Sequence, residues 1–298
     1  MQKLNGIKIF LFFVISGVGL AGCSSLLYYP RRAEYSNPAQ LGAGFERIEL
    51  TTEDGLNLEA WRIFSPKVKT PKARLVFFHG NAQNLSTHFH YLIWALDFNY
   101  EIFIFSYRGF HKNKGDPTPR GTLYDGMAAL EWVQNQTQKD GIPWVAFGQS
   151  LGGAVLMRSL ADAKIKYGEK FRPPVLAAID CSFHSYQEVG RKVLAKSWIG
   201  WPLQWLSYFV LSDRYAPEKK IATLSPIPLL VMHGTKDPTV HYSLGERIFE
   251  IAQEPKYFWP LEGAGHTDVF FIEKFIYRKK FDDLVQTQID KEKSRLKN

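Results

Sequence analysis

Three residue types that together can activate a hydroxyl nucleophile each follow an apolar, β-rich run in this chain. Ser150 lies in the pentapeptide GQSLG, between the strand-like run PWVAFG and the helical run LGGAVLM. Asp237 follows LLVMHG, and His266 follows FWPLEGAG. A serine hydroxyl is a poor nucleophile until a histidine accepts its proton, and a carboxylate must orient that histidine. The pattern therefore predicts a catalytic triad of Ser150, Asp237 and His266.

The residues around Ser150 also predict where negative charge would be stabilised. Small neighbours permit a tight turn from strand to helix, which exposes the hydroxyl at the helix N-terminus. A further run, ARLVFF, leads to Asn81 in the segment HGNAQN. The backbone amide of Asn81, together with that of Leu151, is predicted to form the oxyanion hole.

Several residues offer simpler interpretations. Ser150 could be a helix cap, and His266 could be an ordinary loop histidine. Asp180 and Asp268 remain alternatives to Asp237 as the orienting carboxylate, although the order Ser150, Asp237, His266 is the one expected for this fold.

The other histidines and the second cysteine are expected to have structural roles. His79 and His233 each precede glycine at a strand end, where they are expected to shape the backbone and its packing. His88 and His90 would diverge on a helix, so no metal site is predicted there. Cys181 is expected to be a small buried apolar residue.

The order of elements predicts an α/β fold with an open, doubly wound, mostly parallel sheet. FERIEL and LNLEAWRI flank TTEDG, whose Asp54-Gly55 pair is a strong hairpin signal. The short β-rich runs that follow are separated by longer helical stretches, which is typical of parallel strands joined by helical crossovers. Residues that carry function should then lie at the carboxyl ends of the strands.

A segment of about residues 182–225 interrupts this alternation and is predicted to form a short helical cap. It contains WIGWPLQWLSYFVLSDRY, where Pro202 suits the first turn of a helix. Trp205, Tyr208 and Phe209 would then share one face. This aromatic face could be ordinary core, or it could bind acyl chains or face a membrane.

The N-terminus has the features of an export signal. Lys3 and Lys8 precede the apolar run IFLFFVISGVGL, which is short for a membrane span. The run leads into LAGC, which resembles the bacterial lipobox and implies a mature protein acylated on Cys23. By the same resemblance, Ser24 favours the outer membrane. An uncleaved anchor or an ordinary signal peptide is the alternative.

Length and composition favour one domain with a large core. The chain has 298 residues, 45% of them hydrophobic and 22% charged, and no repeat or linker divides it. The predicted organisation is a signal peptide (1–22), an anchor and linker (23–44), an α/β domain (45–285) and a charged C-terminal tail (286–298). If Cys23 is acylated, Cys181 is the remaining thiol, so intramolecular disulfides are not expected.

The charge balance suits an anionic membrane surface more than a nucleic acid. Removal of residues 1–22 takes away two lysines and no acid, which leaves 35 basic against 29 acidic residues, or +6. The terminal stretches YRKKFDD and DKEKSRLKN mix both signs, as a solvated helix does. No nucleic-acid partner is therefore predicted.

Taken together, the motifs HGNAQN, SYRGFHKNKGDPTPRGTLYDG, GQSLGG, HGTKD and GAGH resemble those of the serine α/β-hydrolases. The resemblance extends from about Tyr28 to Phe275. It is strongest to the branch that contains protein depalmitoylases and many bacterial esterases. The resemblance implies the α/β-hydrolase fold and no metal or cofactor. It also implies that the catalytic and oxyanion-hole roles of the family fall on Ser150, Asp237, His266, Asn81 and Leu151. Asp180 stands where that branch often has glutamate, which leaves the role of this carboxylate open.

The predicted function is that of a lipid-anchored serine hydrolase in the cell envelope, at the outer membrane and facing the periplasm. It would cleave a carboxylic ester or a thioester through an acyl-enzyme on Ser150. Two alternatives remain: a serine peptidase of the same fold, and a non-catalytic envelope lipoprotein that uses the fold as a binding module.

Overall fold

A computed structural model describes residues 28–196, 198 and 200–295. The predicted signal peptide and Cys23 lie outside these residues. In the described part of the chain, eight strands form one sheet in the order β1-β2-β4-β3-β5-β6-β7-β8. The strands are β1 (Gly44–Thr51), β2 (Asn57–Phe64), β3 (Ala73–Phe78), β4 (Tyr100–Phe105), β5 (Trp144–Gln149), β6 (Leu176–Asp180), β7 (Leu229–Gly234) and β8 (Lys256–Leu261).

Helices connect these strands and cover the sheet. The α-helices are α1 (Leu85–His88), α2 (Pro119–Asp140), α3 (Leu151–Tyr167), α4 (Tyr186–Leu194), α5 (Ser207–Val210), α6 (Glu218–Ile221), α7 (Tyr242–Ile251) and α8 (Ile276–Arg295). Short 3-10 helices occupy Pro38–Leu41, Phe89–Tyr91, Ile93–Phe98, Gly168–Lys170, Trp201–Leu206, Ala222–Leu224 and Glu273–Phe275. Within the described residues, no helix combines the length and the hydropathy needed to cross a bilayer.

The antiparallel part of the sheet lies at its N-terminal edge. β1 pairs with β2 antiparallel, with Thr51 opposite Asn57, and β2 pairs antiparallel with β4. In the turn of this hairpin, the Thr52 hydroxyl donates to Asp54 Oδ1 at 2.7 Å, and Gly55 adopts φ 82°, which glycine tolerates without strain. All other strand pairs are parallel. The predicted fold class, with its N-terminal hairpin, is confirmed.

Two apolar layers enclose the parallel strands. Every residue of β3, β4, β5, β6 and β7 is buried, as expected for strands covered on both faces. One layer contains apolar side chains of α2, α3 and α7, and the other contains residues from 85–98 together with α8. α8 runs across the predicted boundary at residue 285, with Phe281, Val285 and Ile289 buried. The catalytic candidates thus stand on a rigid scaffold.

Candidate active site

Ser150, His266 and Asp237 form a continuous hydrogen-bonded chain. Ser150 Oγ lies 3.1 Å from His266 Nε2, and His266 Nδ1 lies 2.7 Å from Asp237 Oδ2. The three residues follow β5, β8 and β7, so they meet at the carboxyl edge of the parallel sheet. Asp237 is fully enclosed, whereas the His266 side chain keeps 22% of its surface exposed. A substrate can therefore reach the serine and the imidazole, while water is kept from the carboxylate.

The backbone at Ser150 is strained, and close packing holds it in place. Ser150 has φ 52° and ψ −120°, and its side chain makes no capping hydrogen bond to α3. A Cβ atom on Gly148 would lie 2.6 Å from the Gly153 Cα, and one on Gly152 would lie 2.0 Å from the Phe78 oxygen. These glycines let β5 turn sharply into α3 against the end of β3. The hydroxyl consequently points to His266 and not to its own helix.

Asp237 is built to stay ionised and to hold its position. Its Oδ1 accepts hydrogen bonds from the amides of Thr239 and Val240, at 2.7 and 2.9 Å. Burial alone would raise the pKa of Asp237, but the neighbouring imidazoles of His233 and His266 and these amides outweigh it. The pKa therefore lies well below its usual range. An ionised carboxylate fixed in this way can orient His266 and stabilise its protonated form.

The two alternative carboxylates are engaged elsewhere. Asp268 Oδ2 accepts the amide of Gly265 at 2.9 Å and so shapes the loop before His266. Asp180 Oδ2 accepts the Tyr91 hydroxyl at 2.6 Å. In the described part of the chain, His266 Nδ1 is therefore bonded to Asp237 and to neither alternative.

Asp180 lies fully buried beneath the serine, where its backbone oxygen accepts the Ser150 amide at 2.8 Å. Burial raises the pKa of its carboxyl to about 6, although the Tyr91 hydrogen bond opposes the shift. Because the folded-state pKa exceeds that of the unfolded chain, the stabilisation is complete below about pH 4 and is lost as the pH rises through 6. Ionisation of Asp180 therefore destabilises the fold at neutral pH.

We expect Asp180→Asn to remove this part of the pH dependence, because an amide can accept the Tyr91 hydroxyl and does not ionise. From pH 4 to pH 8, the variant should gain on the order of 2 kcal/mol of unfolding free energy relative to the parent protein. Urea denaturation at the two pH values measures the difference. The buried Asp125, whose pKa is also raised to about 6, is common to both proteins and cancels. Parallel pH profiles would contradict the expectation.

The Cys181 thiol contacts the residues directly before and after His266. The sequence patterns did not predict these contacts. Cys181 Sγ accepts the amide of Thr267 at 3.3 Å and lies 3.9 Å from the Gly265 oxygen. Cys181 is buried, as predicted, and burial raises the pKa of its thiol. In the sequence, the feature that could have indicated this contact is the position of Cys181 directly after a predicted strand. The thiol thus helps to hold the loop that carries the imidazole.

One group of potential metal ligands overlaps this site. The ligand atoms of Cys181, His233 and Asp237 lie within 4.8 Å of one another. Each of these groups already has a hydrogen-bond partner, and Cys181 Sγ accepts the Thr267 amide. The carboxylate of Asp237 is already bonded to two amides and to His266, and His233 Nε2 lies 2.9 Å from the Val240 oxygen. These residues form a hydrogen-bonded support for His266.

The predicted oxyanion residues lie on adjoining segments. Leu151 is the first residue of α3, where the helix dipole favours negative charge. Asn81 follows β3 in a tight loop, in which Ala82 and Gln83 have φ values of 61° and 53°. The side-chain oxygen of Asn81 accepts the amides of Tyr29 and Ala82, both at 2.8 Å. The N-terminal stretch of the described chain therefore braces this loop.

The other histidines stabilise loops around the site. His79 Nδ1 lies 2.7 Å from the Gly80 oxygen, and His88 Nε2 lies 3.1 Å from the Ala82 oxygen. The rings of His79 and His88 stack at 4.8 Å. His90 is directed elsewhere and lies 2.8 Å from Ser36 Oγ. The histidines at 88 and 90 thus have separate partners.

The segment predicted as a cap lies beside the Asp237 loop. The Lys196 amine donates to the Pro238 and Thr239 oxygens of that loop. The rings of Trp205 and Phe209 contact at 5.8 Å on one face, as predicted, but the helix is a 3-10 segment followed by the short α5. Both aromatic side chains are exposed, so this face is surface and not core.

Comparison with known proteins agrees with this architecture. The chain is 30% identical over 272 residues to the uncharacterized protein YfhR of Escherichia coli K12, which covers 89% of this chain and 88% of the relative. An esterase of Pyrococcus furiosus superposes with a TM-score of 0.65 at 17% identity, over 89% of this chain and 98% of the esterase. A Pyrococcus horikoshii acylaminoacyl peptidase gives a TM-score of 0.61 at 15% identity, over 83% of this chain and 41% of the peptidase.

A family model covers most of the sheet and the site. It is that of the alpha/beta hydrolase family, and it matches residues 75–274. This range includes β3 to β8 and all three residues of the hydrogen-bonded chain. With more than half of its length matched, the chain belongs to the alpha/beta hydrolase family.

Proposed function

We propose that the protein is a lipid-anchored serine hydrolase that cleaves carboxylic ester or thioester bonds through an acyl-enzyme. The observation that carries the proposal is the continuous chain of hydrogen bonds from Ser150 through His266 to Asp237. Nucleophile, base and orienting carboxylate are within hydrogen-bond reach in the order that this chemistry requires. A module that only binds ligands would need none of this alignment.

In the first half-reaction, Ser150 Oγ attacks the substrate carbonyl carbon while His266 Nε2 accepts the hydroxyl proton. Asp237 stabilises the imidazolium through the bond at Nδ1. When the tetrahedral intermediate collapses, the bond to the leaving alcohol or thiol breaks, and His266 Nε2 returns the proton to it. The acyl group is left as an ester on Ser150.

In the second half-reaction, His266 Nε2 takes a proton from water, whose oxygen attacks the acyl carbon. The bond from that carbon to Ser150 Oγ then breaks, His266 Nε2 returns the proton to Oγ, and the carboxylic acid is released. We assign the backbone amides of Asn81 and Leu151 to the negative oxygen of both intermediates. The start of α3 supports this assignment, because the helix dipole favours charge at that end. No metal or cofactor takes part in these steps.

A fluorophosphonate probe tests this proposal directly. The probe should label the full-length chain, and mass analysis should place the adduct on Ser150, because only an activated serine attacks phosphorus readily. Ser182 lies close to the site and serves as an internal comparison, since its hydroxyl donates to the Ser150 backbone oxygen. A chain that resists the probe would support the binding-module alternative, whereas an adduct on Ser182 would contradict the assignment of Ser150 as the nucleophile.

We propose acyl esters and thioesters as the substrates. The esterase relative and the exposed aromatic cap favour acyl esters or thioesters, as does the resemblance to the depalmitoylase branch. The structural likeness to an acylaminoacyl peptidase favours an amide as the second candidate. Rates with acyl esters of graded chain length, matched thioesters and peptide anilides distinguish these substrates.

We also propose that the protein is anchored by acylated Cys23, at the outer membrane and facing the periplasm. The proposal rests on the LAGC motif after a charged and then apolar N-terminus. In a bacterial host, the full-length protein should incorporate labelled palmitate and remain with membranes in high salt. Cys23→Ala should abolish the label. Incorporation that persists in this variant would reject the anchor at this residue.

A further inference from the structure

We propose that the exposed aromatic surface of the cap is a second membrane contact, which docks on an anionic lipid surface. We define the aromatic cap surface by four side chains that project from the segment between α4 and α5 and from α5: Trp198, Trp201, Trp205 and Phe209. This inference does not depend on hydrolysis or on acylation of Cys23.

The four side chains expose far more apolar area than a soluble surface normally does. The exposed fraction is 85% for Trp198, 67% for Trp201, 55% for Trp205 and 81% for Phe209. Exposed apolar side chains that cluster in one segment mark sites of interaction with a protein or a membrane, and the rings of Trp205 and Phe209 contact each other at 5.8 Å. Tryptophan is enriched where proteins meet the headgroup region, because its ring is apolar and its N–H is polar. Three exposed tryptophans within eight residues of the chain therefore favour lipid.

The surface is attached firmly to the domain. Gln187 Nε2 of α4 donates to the Tyr208 oxygen at 3.2 Å and to the Leu211 oxygen at 2.9 Å. The Tyr208 hydroxyl donates to Glu188 Oε1 at 2.7 Å. A Cβ atom on Gly190 would lie 2.4 Å from Leu211 Cδ1, so α4 packs tightly on the segment. These contacts hold the segment to α4 through Tyr208 and Leu211, while the four side chains of the aromatic cap surface remain exposed.

The charges around the surface are complementary to anionic lipid. Residues 189–212 include Arg191, Lys192 and Lys196 and contain no aspartate or glutamate. Arg191 pairs with Glu188 at 2.7 Å, and the other neighbouring acid, Asp213, accepts the amides of Tyr186 and Gln187. The excess positive charge of the segment is therefore carried by Lys192 and Lys196, and the Lys196 amine also donates to the Pro238 and Thr239 oxygens. Basic residues close to an anionic leaflet strengthen binding to it.

The described chain begins beside the start of α4. Tyr28 is buried, and its hydroxyl lies 3.2 Å from Thr122 Oγ1 and is hydrogen-bonded to Tyr186, the first residue of α4. The N-terminal end of the described chain is therefore packed on the helix that leads into the cap segment.

A nitroxide label at the centre of the surface tests the proposal on the full-length chain. We would introduce Phe209→Cys in a Cys23→Ser background, in which the buried Cys181 is the remaining thiol. The matched control is Ile165→Cys, an apolar residue of α3 that is likewise well exposed but lies outside the cap. The probe is a vesicle of phosphatidylcholine with phosphatidylglycerol, and the readout is label accessibility to oxygen compared with a nickel complex.

On addition of vesicles, the oxygen-to-nickel accessibility ratio should rise severalfold at residue 209 and stay constant at residue 165. A ratio at residue 209 that does not change, including failure to bind vesicles, would overturn the proposal. Shielding of residue 209 before vesicles are added would also overturn it, because a second copy of the chain would then cover the surface. Hydrolysis of a soluble ester by the labelled proteins is a separate measurement, so the proposed enzyme activity can fail or hold independently.

Discussion

Replacement of Ser150 by alanine is expected to lower kcat for hydrolysis of p-nitrophenyl acetate by roughly 10⁴- to 10⁶-fold. Without Oγ there is no nucleophile 3.1 Å from His266 Nε2, so no acyl-enzyme can form. Any residual rate would come from attack by water at the oxyanion site. The fold should persist, because the Ser150 side chain does not cap α3. Steady-state kinetics and far-ultraviolet circular dichroism measure the two effects.

Ser182→Ala is the matched control for this experiment. Ser182 is also buried beside the turn from β5 into α3. Its hydroxyl donates to the Ser150 backbone oxygen at 2.7 Å. Loss of that single hydrogen bond should change kcat by about tenfold or less. Full activity in the Ser150 variant, or an equal loss in both variants, would exclude Ser150 as the nucleophile.

Asp237→Asn is expected to lower kcat by about 10³- to 10⁴-fold with little change in KM. The amide removes the negative charge that stabilises protonated His266, and it permits the wrong tautomer of the ring. The change leaves the shape of the side chain intact, so the loss belongs to the transition state and not to substrate binding.

Asp268→Asn is the control that separates the two carboxylates. Asp268 accepts the Gly265 amide and does not face the His266 ring, so its replacement should lower kcat by less than about tenfold. A larger loss in Asp268→Asn than in Asp237→Asn would transfer the orienting role to Asp268.

The sequence predicted the sheet well, because its signals are local. Strands buried on both faces read as continuous apolar runs, and the Asp54-Gly55 turn marks the hairpin. The turn from β5 into α3 at Ser150 was also predictable from the sequence, because the backbone of this turn requires the small residues that surround Ser150. Features that depend on a few consecutive residues are visible without a structure.

Features that depend on distances across the sheet were not visible. Three aspartates follow strands in suitable positions, and only the 2.7 Å contact with His266 separates Asp237 from Asp180 and Asp268. The contact of Cys181 with both sides of His266 joins residues more than 80 positions apart. From its residue type, Cys181 was expected only to be a small buried apolar residue.

The cap segment differs from its prediction in the type of helix that it forms. A single helix with an aromatic stripe was predicted from Pro202 onward, but the segment forms the 3-10 helix Trp201–Leu206 and then α5, without side-chain caps at either start. The spacing of Trp205, Tyr208 and Phe209 did not show whether these side chains faced the interior or the solvent. Their exposure follows from how α4 holds the segment through Gln187 and Glu188.

The burial of Tyr28 would limit how far a lipid anchor at Cys23 could lie from the folded domain. Tyr28 is fixed to the domain by Thr122, and only five residue steps separate it from Cys23. An extended chain covers at most about 3.6 Å per residue, so a lipid on Cys23 could stand no more than about 18 Å from the folded body. An enzyme tethered in this way would act on bonds at the membrane surface, and soluble esters would have to diffuse to it there.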